Sequence, residues 1–219
     1  MSRRRVAILI SGRGSNMAAL LAAAAAPDYA AEISLVLSNR PEAEGLAKAA
    51  AAGAATAVVD HRAFPRREDF EAEIDAKLAE FGAEIVCLAG FMRLLTPWFI
   101  ERWRNRLINI HPSLLPAFRG LRTHERALEA GVRVTGCTVH FVRVEMDAGP
   151  IIAQAAVPVL AGDTPESLAA RVLAAEHRLY PHALGLLAGG AARIVEDRVV
   201  FAREPAPGPS LFSPALPGR

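Results

Sequence analysis

Along the chain, short apolar runs alternate with stretches whose apolar residues recur at helical spacing. A continuous run over 6–10 reads as a strand, and a helix follows from about Asn16. Next come a run over 33–37, a helix over 42–52, a strand over 56–59, a helix over 67–81 and a run over 85–88. Strands without polar alternation are those buried on both faces, as in a parallel sheet covered by helices on each side. The pattern therefore predicts an α/β fold, doubly wound and mostly parallel.

After the run over 107–111 the texture changes. Residues 135–142 alternate polar with apolar, and the run over 151–159 follows closely, so this pair reads as neighbouring antiparallel strands. The last long helix opens on Asp163 or Thr164 as cap with Pro165 in its first turn. Leu168, Val172, Ala175 and Leu179 mark its core row, and Arg171 and Glu176 are expected on its polar face. One domain is expected over 1–203. The segment 204–219 is rich in Pro, Gly and Ser, has little to bury, and is expected to be poorly ordered.

Composition narrows the picture only in places. Lys and Arg number 25 against 23 Asp and Glu, a net charge of +2 that announces neither nucleic acid nor an anionic membrane. No apolar stretch approaches the roughly 18 residues of a membrane helix, and the run after MSRRR breaks too soon for a signal peptide. Cys87 and Cys137 lack metal-site or disulfide-framework spacing and read as buried thiols in a reducing compartment.

Three stretches carry candidate chemistry. Ser11-Gly12-Arg13-Gly14-Ser15-Asn16 joins the first strand to a helix, with glycines that bring backbone N–H groups close and polar residues to cap the helix, as an anion cradle needs. It is neither a P-loop nor a full dinucleotide fingerprint, because Met17 stands where a third glycine belongs. A tight turn with a good cap has the same composition. Asn109 and His111 close a strand, and its period of two points both to one side at a carboxyl end, where α/β sheets host ligands. His140, inside an alternating strand, suits a structural role. Asp147 lies in the turn Met146-Asp147-Ala148-Gly149-Pro150; it is either a turn former or a carboxylate that faces His111 and stabilises its charged form.

Taken in order, 10–16, 88–95, 109–116, 147–151 and 176–181 resemble the glycinamide ribonucleotide formyltransferase family, and the likeness extends over about 6–188. The resemblance implies a Rossmann-like formyltransferase fold and transfer of a formyl group from 10-formyltetrahydrofolate, the co-substrate, to the amine of glycinamide ribonucleotide in purine synthesis. It implies that Gly14, Ser15 and Asn16 hold the phosphate and that Glu176 touches the glycinamide end. Arg67, Met92, Arg93, Leu94, Leu95 and Asn109, with the backbone of 143–147, line the folate site by the same likeness. Asn109, His111 and Asp147 form the catalytic group, with no metal and no covalent enzyme intermediate. Small-molecule substrates are expected, with no nucleic acid or membrane partner, in a cytoplasmic monomer or homodimer. The related methionyl-tRNA formyltransferases and formyltetrahydrofolate deformylases share the Asn-x-His but carry further domains, which are not expected here.

Overall fold

The computed structural model describes residues 3–203, 206, 208 and 211–213. The expectation for the tail over 204–219 falls mostly outside them.

The chain builds β1 (Arg4–Ile10), α1 (Ser15–Ala24), β2 (Ala31–Ser38), α2 (Glu44–Ala51) and β3 (Thr56–Val58). It continues with α3 (Arg67–Glu80), β4 (Ile85–Leu88), α4 (Pro97–Arg102), β5 (Leu107–His111) and α5 (Thr123–Glu129). Then come β6 (Val134–Phe141), β7 (Ile151–Pro158), α6 (Pro165–Ala188), β8 (Ala192–Val195) and β9 (Arg198–Phe201). The first seven strands form one sheet in the order β3-β2-β1-β4-β5-β6-β7, parallel from β3 to β5, while β6 and β7 each run antiparallel to their predecessor. Thus the turn to antiparallel pairing comes at β5 itself, a residue-level junction that the alternating pattern of β6 alone does not reveal.

Alternation along the strands sorts the core into two. Val6, Ile8, Ile10, Cys87, Ile108 and Ile110 face the side covered by α1, α5 and α6. Ala7, Leu9, Val86, Leu88 and Leu107 face the side covered by α3 and α4, where Phe70, Ile74, Phe99 and Trp103 pack. Asn109 and His111, one pleat out of phase with Ile108 and Ile110, therefore belong to the α3/α4 side. Cys87 and Cys137 are both free and buried, and burial pushes each thiol up to about 12.

α6 corrects one expectation. Thr164 caps it, with Ser167 completing a capping box, and Asp163 instead receives Arg171 at 2.7 Å. Glu176, expected on the polar face, is buried with Leu168, Val172 and Tyr180. Those positions recur every fourth residue, so Glu176 belongs to the same inward row as the apolar residues around it. α4 and α5 were not anticipated. They span six and seven residues, too short for a periodic signal, although Thr96 followed by Pro97 is a helix start.

Candidate active site

The turn after β1 is held by the loops after β2 and β4 and by the start of α2. Ser11 Oγ donates to Asn39 Oδ1 at 2.6 Å and accepts from the Met92 N–H at 2.8 Å, while Gly45 N donates to Gly12 O at 3.0 Å. Gly14 is the N-cap of α1 with φ 68° in the left-handed region, and a Cβ there would stand 3.1 Å from Gly45 Cα. Ser15 and Asn16, expected as caps, lie instead inside the first turn, and no side chain caps the helix. Its end N–H groups are thus not competed for by a side chain, which favours an incoming anion.

Asn16 reaches the other way. Its Nδ2 donates to Glu176 Oε2 at 2.7 Å, while its Oδ1 is buried without a partner. A buried carbonyl oxygen left unpaired is costly, and a ligand N–H or O–H placed there would satisfy it. Burial raises Glu176 above the ordinary carboxyl range, against the stabilising hydrogen bond from Asn16.

On the opposite face of the sheet, β5 and β6 bring a second group together. Asn109 is registered directly opposite His140, and its Nδ2 stands 3.3 Å from His140 Nε2. His140 Nδ1 is 3.0 Å from the Phe141 carbonyl, which can only accept, so Nδ1 carries the proton. Burial lowers the pKa of His140, so the ring is neutral and Nε2 is free to accept from Asn109. His140, read from sequence as a structural residue, therefore orients the Asn109 amide. Its signal was the antiparallel register, which no single strand displays.

The loop between β6 and β7 begins with Val142 N bonded to Leu107 O, near the start of β5, and folds back to place Asp147 beside the strand's end. Asp147 Oδ2 lies 3.4 Å from His111 Nδ1, and Oδ1 lies 3.7 Å from His140 Nε2. The Gly120 N–H donates to Asp147 Oδ2 at 2.8 Å, and His111 Nε2 donates to the Phe118 carbonyl at 3.0 Å. Both ring nitrogens of His111 thus face acceptors, an arrangement that a doubly protonated ring satisfies.

The remaining predicted residues lie on the loop after β4 and at the start of α3. Met92, Arg93, Leu94 and Leu95 follow β4, whose carboxyl end lies between those of β1 and β5. Met92 and Leu94 are 63% and 61% exposed, and Val144 and Met146 on the β6–β7 loop are exposed too, so apolar side chains stand open on two loops. Arg67 opens α3 and is exposed. Glu71, one turn further along α3, is fully buried and accepts from Thr96 N at 2.8 Å and from the Thr96 hydroxyl, which fixes the far end of the 92–96 segment. Nothing in the sequence marked Glu71, because its position on α3 is that of an ordinary charged helix residue. Among the described residues, no helix is long and apolar enough to cross a membrane.

Comparison with known proteins shows the family. The formyl transferase family model matches residues 4–184. The trifunctional purine biosynthetic protein adenosine-3 of Gallus gallus is 53% identical over 192 residues, which is 88% of this chain and 19% of that protein. The chain thus spans about a fifth of the length of the trifunctional relatives it matches. The phosphoribosylglycinamide formyltransferase of Escherichia coli (strain K12) is 42% identical over 88% of this chain and 91% of its own. The crystal structure of the phosphoribosylglycinamide formyltransferase from Brucella melitensis superposes with a TM-score of 0.83 at 58% identity, covering 86% of this chain and 97% of that one. The chain belongs to the formyl transferase family.

Proposed function

We propose that the chain transfers the formyl group of 10-formyltetrahydrofolate to the amine of glycinamide ribonucleotide, giving formylglycinamide ribonucleotide and tetrahydrofolate. The observation that carries this reading is the meeting of Asn109, His111 and Asp147 on β5 and the returning loop, with the unpaired Asn16 oxygen and Glu176 at the uncapped start of α1. Relatives that share most of this chain carry the corresponding name.

Gly14, Ser15 and Asn16 receive the phosphate at the positive end of α1. Glu176 and the free Asn16 Oδ1 accept hydrogen bonds from the ribonucleotide's donors. Met92, Arg93, Leu94 and Leu95, with the apolar side chains of the β6–β7 loop and with Arg67 at the rim, line the folate site. The folate supplies the formyl carbon, and attack of the amine puts negative charge on the formyl oxygen. Asn109 and doubly protonated His111 donate to that oxygen, which requires His111 Nε2 to leave the Phe118 carbonyl. His140 keeps the Asn109 amide turned so that one of its N–H groups remains for the substrate. Asp147 holds His111 and, through water, moves the amine proton toward the leaving nitrogen.

The test is direct: purified protein is mixed with 10-formyltetrahydrofolate and glycinamide ribonucleotide, and formyl transfer is followed. Formation of tetrahydrofolate only when the ribonucleotide is present supports the reading. Loss of formyl to water at the same rate without the ribonucleotide overturns it.

A further inference from the structure

We propose that Asp197, in the turn of the C-terminal hairpin, is a positioning residue for formyl transfer: its carboxylate grips Arg143 and so fixes the loop that carries Asp147. Asp197 lies beyond residues 4–184, the part matched by the family model, so this tie is additional to what the family match covers.

The hairpin is β8 and β9, joined through Glu196 and Asp197 with φ of 47° and 58°. Two successive left-handed residues make the tight connection whose twist suits paired strands, and they project the Asp197 side chain away from the hairpin's end. The hairpin itself is anchored. Ala192 is buried, Ile194, Val199 and Phe201 pack on the α6 side of the core, and Ala202 N donates to Ala191 O at 2.8 Å.

Arg143 meets this fixed point at the first turn of the β6–β7 loop. Its Nε and an Nη donate to Asp197 Oδ1 at 3.0 and 2.5 Å, one Nη donates to Asn105 Oδ1 at 2.8 Å, and the other donates to the Val142 carbonyl at 3.0 Å. The Arg143 side chain is only 10% exposed, whereas that of Asp197 is 55% exposed. This asymmetry matters. An exposed ion pair contributes little, but a guanidinium withdrawn from water is left uncompensated when its carboxylate is removed. Arg143 then keeps only the Asn105 and Val142 oxygens, and its hold on the hairpin is lost.

Asp147 is four residues further on. Its carboxylate accepts from the Gly120 N–H at 2.8 Å, and neighbouring Glu145 makes an exposed contact to Arg119 at 2.6 Å. Both come from the segment after β5, which must itself release His111 for catalysis. The ends of the loop are held by backbone bonds, Val142 N to Leu107 O and Phe141 N to Pro150 O, and Arg143 is the side chain that ties the loop to the hairpin. The guanidinium in turn holds the Asp197 carboxyl below its ordinary range.

The inference rests on the formyl-transfer reading, and its test separates the two. Steady-state constants for both substrates and melting temperatures are measured for the wild type, Asp197→Ala, Asp197→Asn, Asp197→Glu, Arg143→Ala and the double alanine variant. Coupling of this kind predicts that Asp197→Ala and Asp197→Asn lose about five- to tenfold in kcat/KM for the folate, while the ribonucleotide KM changes by less than about twofold. Asp197→Glu recovers most of the loss, and the double variant is no worse than the poorer single one. Unchanged constants in Asp197→Ala and Asp197→Asn overturn the proposal. So does a loss that follows a fall in melting temperature and is not recovered by Asp197→Glu. A wild-type chain that transfers no formyl overturns the functional reading, and the positioning role falls with it.

Discussion

His140 Nε2 accepts from Asn109 Nδ2 at 3.3 Å across the antiparallel pair β5 and β6, so a neutral histidine sets the orientation of an amide proposed to act on substrate. Replacing His140 by alanine removes one neutral hydrogen bond and leaves Asn109 Nδ2 to water. The expected fall in kcat is roughly 2- to 10-fold, the worth of one such bond. Because burial depresses the pKa of His140, the ring is already neutral at pH 7, and the substitution leaves the shape of the pH–rate profile above pH 6.5 unchanged. A loss equal to that of Asn109→Ala, measured in the same assay, would show that His140 touches substrate.

The pKa directions at Glu176 and His140 give opposite stability signatures. Glu176 is raised by burial, so the folded state holds its proton more tightly than the unfolded state. Its contribution is greatest below the unfolded carboxyl pKa of about 4.3 and is lost as pH rises through the folded value. His140 is lowered, so its contribution is present above about pH 6.5 and is lost as pH falls below it, where the unfolded chain takes up the proton. Glu176→Gln therefore gains stability relative to wild type as pH is raised from 4 toward 7, while the ribonucleotide KM rises. Denaturant unfolding across that range checks the sign. A gain that shrinks with rising pH contradicts it.

At Gly14 the backbone and the ligand make separate demands. An L-residue at φ 68° pays about 1–2 kcal/mol for the left-handed conformation, and a Cβ would also press on Gly45 Cα at 3.1 Å. Gly14→Ala is expected to lower the unfolding free energy by about that amount and to raise the ribonucleotide KM more than the folate KM. Urea denaturation beside steady-state kinetics measures both. Equal weakening of the two ligands, in protein still folded, would make the turn a purely structural one.

The strands β1, β2, β4 and β5 were legible because each is a short, largely buried apolar run, and Asn109 with His111 could be placed on one side by the period of two alone. Partnerships made by folding were not. The Asn109–His140 pair depends on register between β5 and β6, and the Asp147–His111 contact depends on a loop that turns back along the sheet. Glu176 was misplaced because its row on α6 is occupied by apolar residues, and a lone carboxylate there reads as solvated until its partner Asn16, from the far end of the chain, is in view. Glu71 and Asp197 carry no local signal at all, since their meaning lies in Thr96 and Arg143.

His111 and Asp147, 3.4 Å apart, carry the central claim that charge developing at the formyl oxygen and the amine proton are both managed by this pair. The most direct measurement is single-turnover formyl transfer by His111→Ala and Asp147→Asn, beside equilibrium binding of each substrate. Loss of a positioned acid/base group predicts rates down by about 100- to 10,000-fold with affinities within about threefold of wild type. The double variant is expected to be little worse than His111→Ala, because Asp147 acts through the ring. A His111→Ala protein that transfers formyl at close to the wild-type rate would contradict the account.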